Sequence, residues 1–280
     1  MDTDERQAGA REGTEAARED AGTSFAKDAG ASGRAALAAA DASVPQAGRS
    51  LAWLGWLAIA AIVVVVGVTR RLAFDLDRAG ATSFWLYAIV PVVLLAVIAL
   101  VRAARDGEVA ELIRPGWGDA THGILSATLL FGVTLAVVRT VAPVGSARES
   151  WVARIYLQLG DPGWLRANMG MVAAFIVVAA AAEEIVWRGL VTRLIAERVG
   201  SRFAWVWAAI PCALAEVPTA WALRDPEAGL NPMLIVAAVG LGLAWGALAR
   251  WRRRLAPSIL SHVAFDWCVV MLFRLWGSGV

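Results

Sequence analysis

Long apolar runs alternate with short arginine-rich stretches from Leu51 onward, and the pattern predicts seven membrane-crossing helices. The first covers 51–69 and is closed by Arg70 and Arg71; the second covers 83–101 and is closed by Arg102 and Arg105. A third is expected over 121–142. The fourth starts near 168 and continues as a charged amphipathic helix through Arg193, Glu197 and Arg198 to Gly200. The last three are expected at 203–223, 232–249 and 256–276. An eighth, shallower element is expected within Trp151–Leu165, and the polar stretch holding Glu108, Glu111, Arg114 and Pro115 reads as interfacial.

Residues 1–48 break this pattern. They are rich in Ala, Gly, Asp, Glu and Arg and almost free of large apolar side chains, so they are expected to form a disordered tail. The predicted fold class is therefore all-α, a polytopic transmembrane bundle over 49–280 behind that tail. Composition agrees: 59% of the 280 residues are hydrophobic and the mean hydropathy is +0.60. The formal net charge of +2 gives no reason to expect a nucleic-acid partner. The first apolar run begins too far along and is too long for a cleavable signal. Cys212 and Cys268 fall in apolar helices and read as buried small residues, not a disulfide. Arginines are more clustered in the loops after the second, fourth and sixth spans, which favours a cytoplasmic N-terminus. A bacterial plasma membrane is the expected location.

Three predicted spans carry ionisable groups where they are costly to insert. Glu183, Glu184 and Arg188 lie on the fourth, Glu216 on the fifth, and His262 and Asp266 on the seventh. Glu184 and Arg188 are one turn apart, acid before base, and so share a helix face; Glu183 is turned about 100° away, free to face a cavity. His262 and Asp266 also share a face. If the fourth and fifth spans form a hairpin at Gly200–Ser201, Glu183 and Glu216 reach similar depth, so one cavity can collect all six. Pro211 and Pro218 bracket Glu216 and suggest a kink there, and Gly240, Gly242 and Gly246 offer a small-residue surface for a neighbouring helix.

The run EEIVWRG resembles the Glu-Glu-x-x-x-Arg signature of the CPBP family, the CAAX-protease and bacteriocin-processing (Abi) intramembrane endopeptidases. GLGLAWGALARWRRRLAPSILSHVAFDW is similar to that family's last two helices, whose closing His-x-x-x-Asn/Asp is matched by His262 and Asp266. The resemblance covers roughly 107–276. It implies that Glu183 activates a water for attack on a peptide carbonyl, that Glu184 and Arg188 orient it, and that His262 and Asp266 form the oxyanion side. The second motif departs: where relatives have Phe-x-x-x-His, this chain has Cys212 and, four residues on, Glu216.

Peptide hydrolysis needs a base for the water and an acid for the leaving amine. Two close carboxylates in a low-dielectric site tend to hold one proton between them, so Glu183 and Glu216 are expected to act as an acidic dyad. No cofactor is expected. A zinc site is disfavoured because the cluster offers one histidine and His-Glu-x-x-His is absent; its carboxylates would suit a harder divalent ion better.

Plainer roles compete. Glu184–Arg188 can serve as a structural ion pair, Glu216 as a partner to the kink or to an arginine, and His262–Asp266 as interhelical glue worth about 1 kcal/mol. His122 reads as interfacial, the 14 tryptophans as an aromatic belt, and the arginines of 250–254 as a topology signal at anionic headgroups. The expected function is intramembrane hydrolysis of a membrane-embedded or lipid-anchored peptide, with the lipid bilayer as surroundings. The alternatives are a catalytically lapsed relative that binds membrane partners, in immunity or assembly, and a proton-coupled carrier. The lack of an internal repeat weighs against the carrier.

Overall fold

The computed structural model of the chain describes residues 52–272, and the regular structure among them is helical apart from one isolated bridge between Asp225 and Gly229. The tail expected over 1–48 lies outside the described residues, as does the end of the last span beyond Leu272. The chain divides after Trp53, and the bundle is built from the unit that starts at Leu54.

Helices α1 (Ala52–Ala73) and α2 (Thr82–Arg105) are the first two expected spans. A one-turn helix, α3 (Val109–Ile113), occupies the polar stretch before α4 (Asp119–Val141). The shallow eighth element is present as α5 (Glu149–Leu159) and α6 (Pro162–Ala167). Gly160 ends α5 with a φ of 106°, and Asp161 caps α6 by accepting the Trp164 N–H.

The fourth span is one long run in three parts: α7 (Met169–Glu184), a π-helical segment (Ile185–Val191) and α8 (Thr192–Val199). The wider turn begins immediately after the two glutamates, and Thr192 Oγ1 closes it on the Trp187 carbonyl at 2.9 Å. Such insertions cluster at functional sites because they re-aim side chains without ending the helix.

The remaining helices are α9 (Ala204–Trp207), α10 (Ala209–Ala222), α11 (Met233–Arg252) and α12 (Ala256–Leu272). The break between α9 and α10 corrects the expected kink. Pro211 has no N–H for the Trp207 carbonyl, so the chain is interrupted at Trp207–Ala208, while α10 runs unbroken past Glu216 with Pro218 inside it. Five helical runs are long and apolar enough to cross a bilayer: α1, α2, α4, α7–α8 and α11. The interrupted α10 has 14 residues and α12 has 17, so two of the seven expected spans are short. The length and apolarity of the five make this an integral membrane protein.

Close helix approaches occur where side chains are absent. A Cβ on Gly123 of α4 would lie 2.9 Å from Leu260 Cβ and 3.0 Å from the Pro257 carbonyl of α12. Gly242 of α11 faces Ala209, with 3.2 Å to its Cβ, and Gly246 faces the Trp205 carbonyl at 3.3 Å. Gly240 has open space beside it, so two of the three glycines expected to make that surface do so. Asp119, 1% exposed, ties the start of α4 to the α11–α12 junction, taking Arg252 Nε at 3.2 Å and the Gly116 N–H at 2.7 Å. Along α7 and into the π-helical segment the apolar core changes hands: Val172 and Ile176 belong to one buried cluster, Ala182 and Ile185 to another. The two glutamates stand at that changeover.

Candidate active site

Four helical runs deliver the polar side chains. On α1, Gly67 is pressed against α10, where a Cβ would meet Pro218 Cγ at 3.2 Å and the Ala215 carbonyl at 3.3 Å. That approach brings Arg70, one turn later, to both acids. Its Nη2 donates to Glu183 Oε1 at 2.5 Å, and its Nη1 is ion-paired with Glu216 Oε1. Neighbouring Arg71 turns outward toward Asp75 at 3.8 Å.

Glu184 points the other way, as its spacing requires, and is fully buried. Its Oε1 accepts Arg188 Nη1 at 2.9 Å and lies 3.0 Å from His262 Nδ1. Arg188 extends to the Gly242 carbonyl at 3.3 Å, so the pair knits α7, α11 and α12 together. His262 stacks on Trp245, with ring centroids 3.8 Å apart and 20° between planes, and Trp245 Nε1 donates to Ser261 Oγ at 3.0 Å. The second imidazole nitrogen, Nε2, is 3.4 Å from Asp266 Oδ2.

Arg70, Glu183, Glu216, His262 and Asp266 all line one cavity of about 290 Å³, as does Arg188. The expected single cavity is therefore present, with Glu184 set behind its wall. Two residues that matter are not among those expected from the sequence: Arg70, which bridges the acids, and Trp245, which fixes the imidazole plane. Cys212 also lines the cavity and is a free thiol. His122 stays outside the site, against the Gly118 carbonyl at 2.5 Å and edge-on to Trp251.

The expected pair of carboxylates is thus a carboxylate–guanidinium–carboxylate bridge. The arginine offsets the repulsion that two bare acids would relieve by sharing a proton. Imidazole bookkeeping puts a proton elsewhere. Nδ1–H must donate to Glu184, which only accepts when ionised, and a neutral ring would then aim the lone pair of Nε2 at a carboxylate. At 3.4 Å the His262–Asp266 contact becomes favourable when that pair holds an additional proton. Among the described residues no group of three or more His, Cys, Asp or Glu side chains is arranged to hold a metal ion.

Residues 165–268 match the family model described as type II CAAX prenyl endopeptidase Rce1-like. Comparison with curated proteins and with solved structures gave no match. The matched stretch holds Glu183, Glu184, Arg188, Glu216, His262 and Asp266, and through it the chain is related to the CPBP (CAAX-protease) family.

Proposed function

We propose that the chain hydrolyses a peptide bond in a membrane-embedded or lipid-anchored substrate, with Glu183 as the base. The observation that carries this reading is the convergence of Glu183, Glu216, His262 and Asp266 on one cavity between membrane helices. A water between Glu183 and the scissile carbonyl loses its proton to the carboxylate as it attacks. Arg70 holds that carboxylate in place and neutralises part of the local negative charge. The proton held between His262 and Asp266 is the one available to the departing amine, so this pair serves as acid as well as facing the tetrahedral oxygen. Glu184 and Arg188 keep His262 oriented from behind. Glu216 acts through Arg70, in place of the histidine that relatives carry.

The test is cleavage of membrane-anchored reporter peptides by the purified full chain. Glu183→Gln should abolish it while leaving the fold intact; a Glu183→Gln variant that cleaves at the wild-type rate would falsify the assignment.

One observation favours a second reading. Arg70 engages both acids at once, which is also what a lapsed enzyme kept for binding would tolerate. In that case the wild type cleaves none of the reporters, and Glu216→His does not cleave unless Arg70 is released as well.

A further inference from the structure

Arg188 lines a second cavity too, of about 330 Å³, formed by the end of α2, the π-helical segment with α8, and the region from α11 to the start of α12. Its charged lining is lopsided: six arginines face one acid, Glu108. Four of the arginines have acidic partners. Arg102 pairs with Glu197 at 2.5 Å, Arg193 with Glu108 at 2.5 Å, Arg188 with Glu184 at 2.9 Å, and Arg254 with Asp119 at 3.7 Å. Arg250 and Arg253 have no acidic partner among the described residues, and both are exposed at the cavity.

The dipole at the end of α11 accounts for a basic residue in its last turn, such as Arg250. It does not account for Arg253, which lies past the helix in a left-handed conformation, φ 55°, where glycine is the usual choice. Two exposed guanidinium forks that line a cavity together with apolar Ala99, Ile185 and Leu255 match an anion attached to something apolar. We propose that this cavity binds a phosphate-bearing anion through Arg250 and Arg253. The phosphate has two sources, an anionic lipid headgroup or the free ion. The proposal stands apart from the hydrolytic reading.

The test is a binding titration on the detergent-purified full chain, with inorganic phosphate in one arm and short-chain phosphatidylglycerol in the other. Saturable binding of phosphate identifies the free ion as sufficient; saturation by the lipid alone identifies the headgroup. In either case Arg250→Gln with Arg253→Gln should weaken binding about 30-fold. Arg105→Gln with Arg114→Gln, nearby but outside the cavity, should change it by less than about twofold. Arg253→Gly guards against misfolding, because glycine suits that backbone. It should melt no lower than wild type and still bind more weakly. Equal binding by the wild type and the Arg250/Arg253 variant overturns the proposal. So does an equal loss in the Arg105/Arg114 variant, or no saturable binding in either arm.

Discussion

Arg70 and Glu216 form an ion pair across the α1–α10 contact, and the same guanidinium holds Glu183 at 2.5 Å. The glutamate that stands where the resemblance implies a histidine is therefore compensated by a residue outside the motif-bearing stretch. Side-chain exposures of 21%, 19% and 10% for Arg70, Glu183 and Glu216 make this an inner bridge, where an unpaired charge is expensive. Arg70→Gln should lower stability by about 3 kcal/mol, since it strands two acids together. Arg70→Gln combined with Glu216→Gln should recover more than half of the loss, because one acid is removed with the cation. Thermal melts in detergent measure both, and an Arg70→Gln protein as stable as the wild type would remove the bridge from the account.

The proton assigned to the His262–Asp266 pair makes a separate prediction. Asp266→Asn leaves a side chain of the same size facing Nε2 but takes away the carboxyl. Turnover should drop by about 10² to 10⁴ with little change in substrate binding. Glu184→Gln should be worse for the fold, because it keeps an acceptor oxygen but removes the fully buried negative charge that faces Arg188 and His262. Measuring kcat and KM separately on the reporter peptides decides the first point. An Asp266→Asn enzyme with unchanged kcat would mean the acid lies elsewhere.

Glycine substitutions test the packing that holds the site. Gly123→Ala should cost about 1–3 kcal/mol, because the new methyl meets Leu260 Cβ at 2.9 Å on the helix that carries His262. Gly242→Ala, facing Ala209 at 3.2 Å, should also destabilise, though less. Gly240→Ala has open space within a helix and should be neutral to stabilising, by up to about 1 kcal/mol. If all three behave alike, helix propensity and not close approach governs these positions.

What could be read from the chain follows from periodicity. Glu184 with Arg188, and His262 with Asp266, are one helical turn apart, so their pairing needs no tertiary knowledge. The convergence of Glu183 and Glu216 follows from counting equal distances from the turn at Gly200. Arg70 was not legible as a site residue: beside Arg71 at the end of an apolar run, it looks like a topology charge. Only the contact of Gly67 with α10 decides that one arginine turns inward and its neighbour outward. The break at Trp207–Ala208 depended on which of two prolines α10 could absorb. The π-helical turn after Glu184 leaves no trace in apolar spacing. Gly123 likewise gives no sign in the sequence that α12 lies against it, whereas Gly242 and Gly246 are visible as part of a glycine stripe.

The loop between α10 and α11 gives a prediction in pH. Asp225 Oδ1 accepts the N–H groups of Glu227 at 2.9 Å and Ala228 at 3.0 Å, and Oδ2 takes Arg154 Nε at 3.1 Å. These donors, the Ala228 N–H foremost, push its pKa down from 3.8 to about 2. A carboxylate with a depressed folded pKa lends stability that is complete above the unfolded value and is lost as the pH falls through the folded one. The loop should therefore loosen as the pH drops from 3.8 toward about 2. Trp151 reports on it, since its Nε1 donates to the Gly229 carbonyl at 3.3 Å and Gly229 is bridged to Asp225. Tryptophan-selective indole N–H exchange at position 151 should accelerate across that window in the wild type. Asp225→Asn keeps an oxygen for the two backbone donors but has nothing to titrate, so its exchange should stay level there. The same acceleration in both proteins would assign the transition to some other acid.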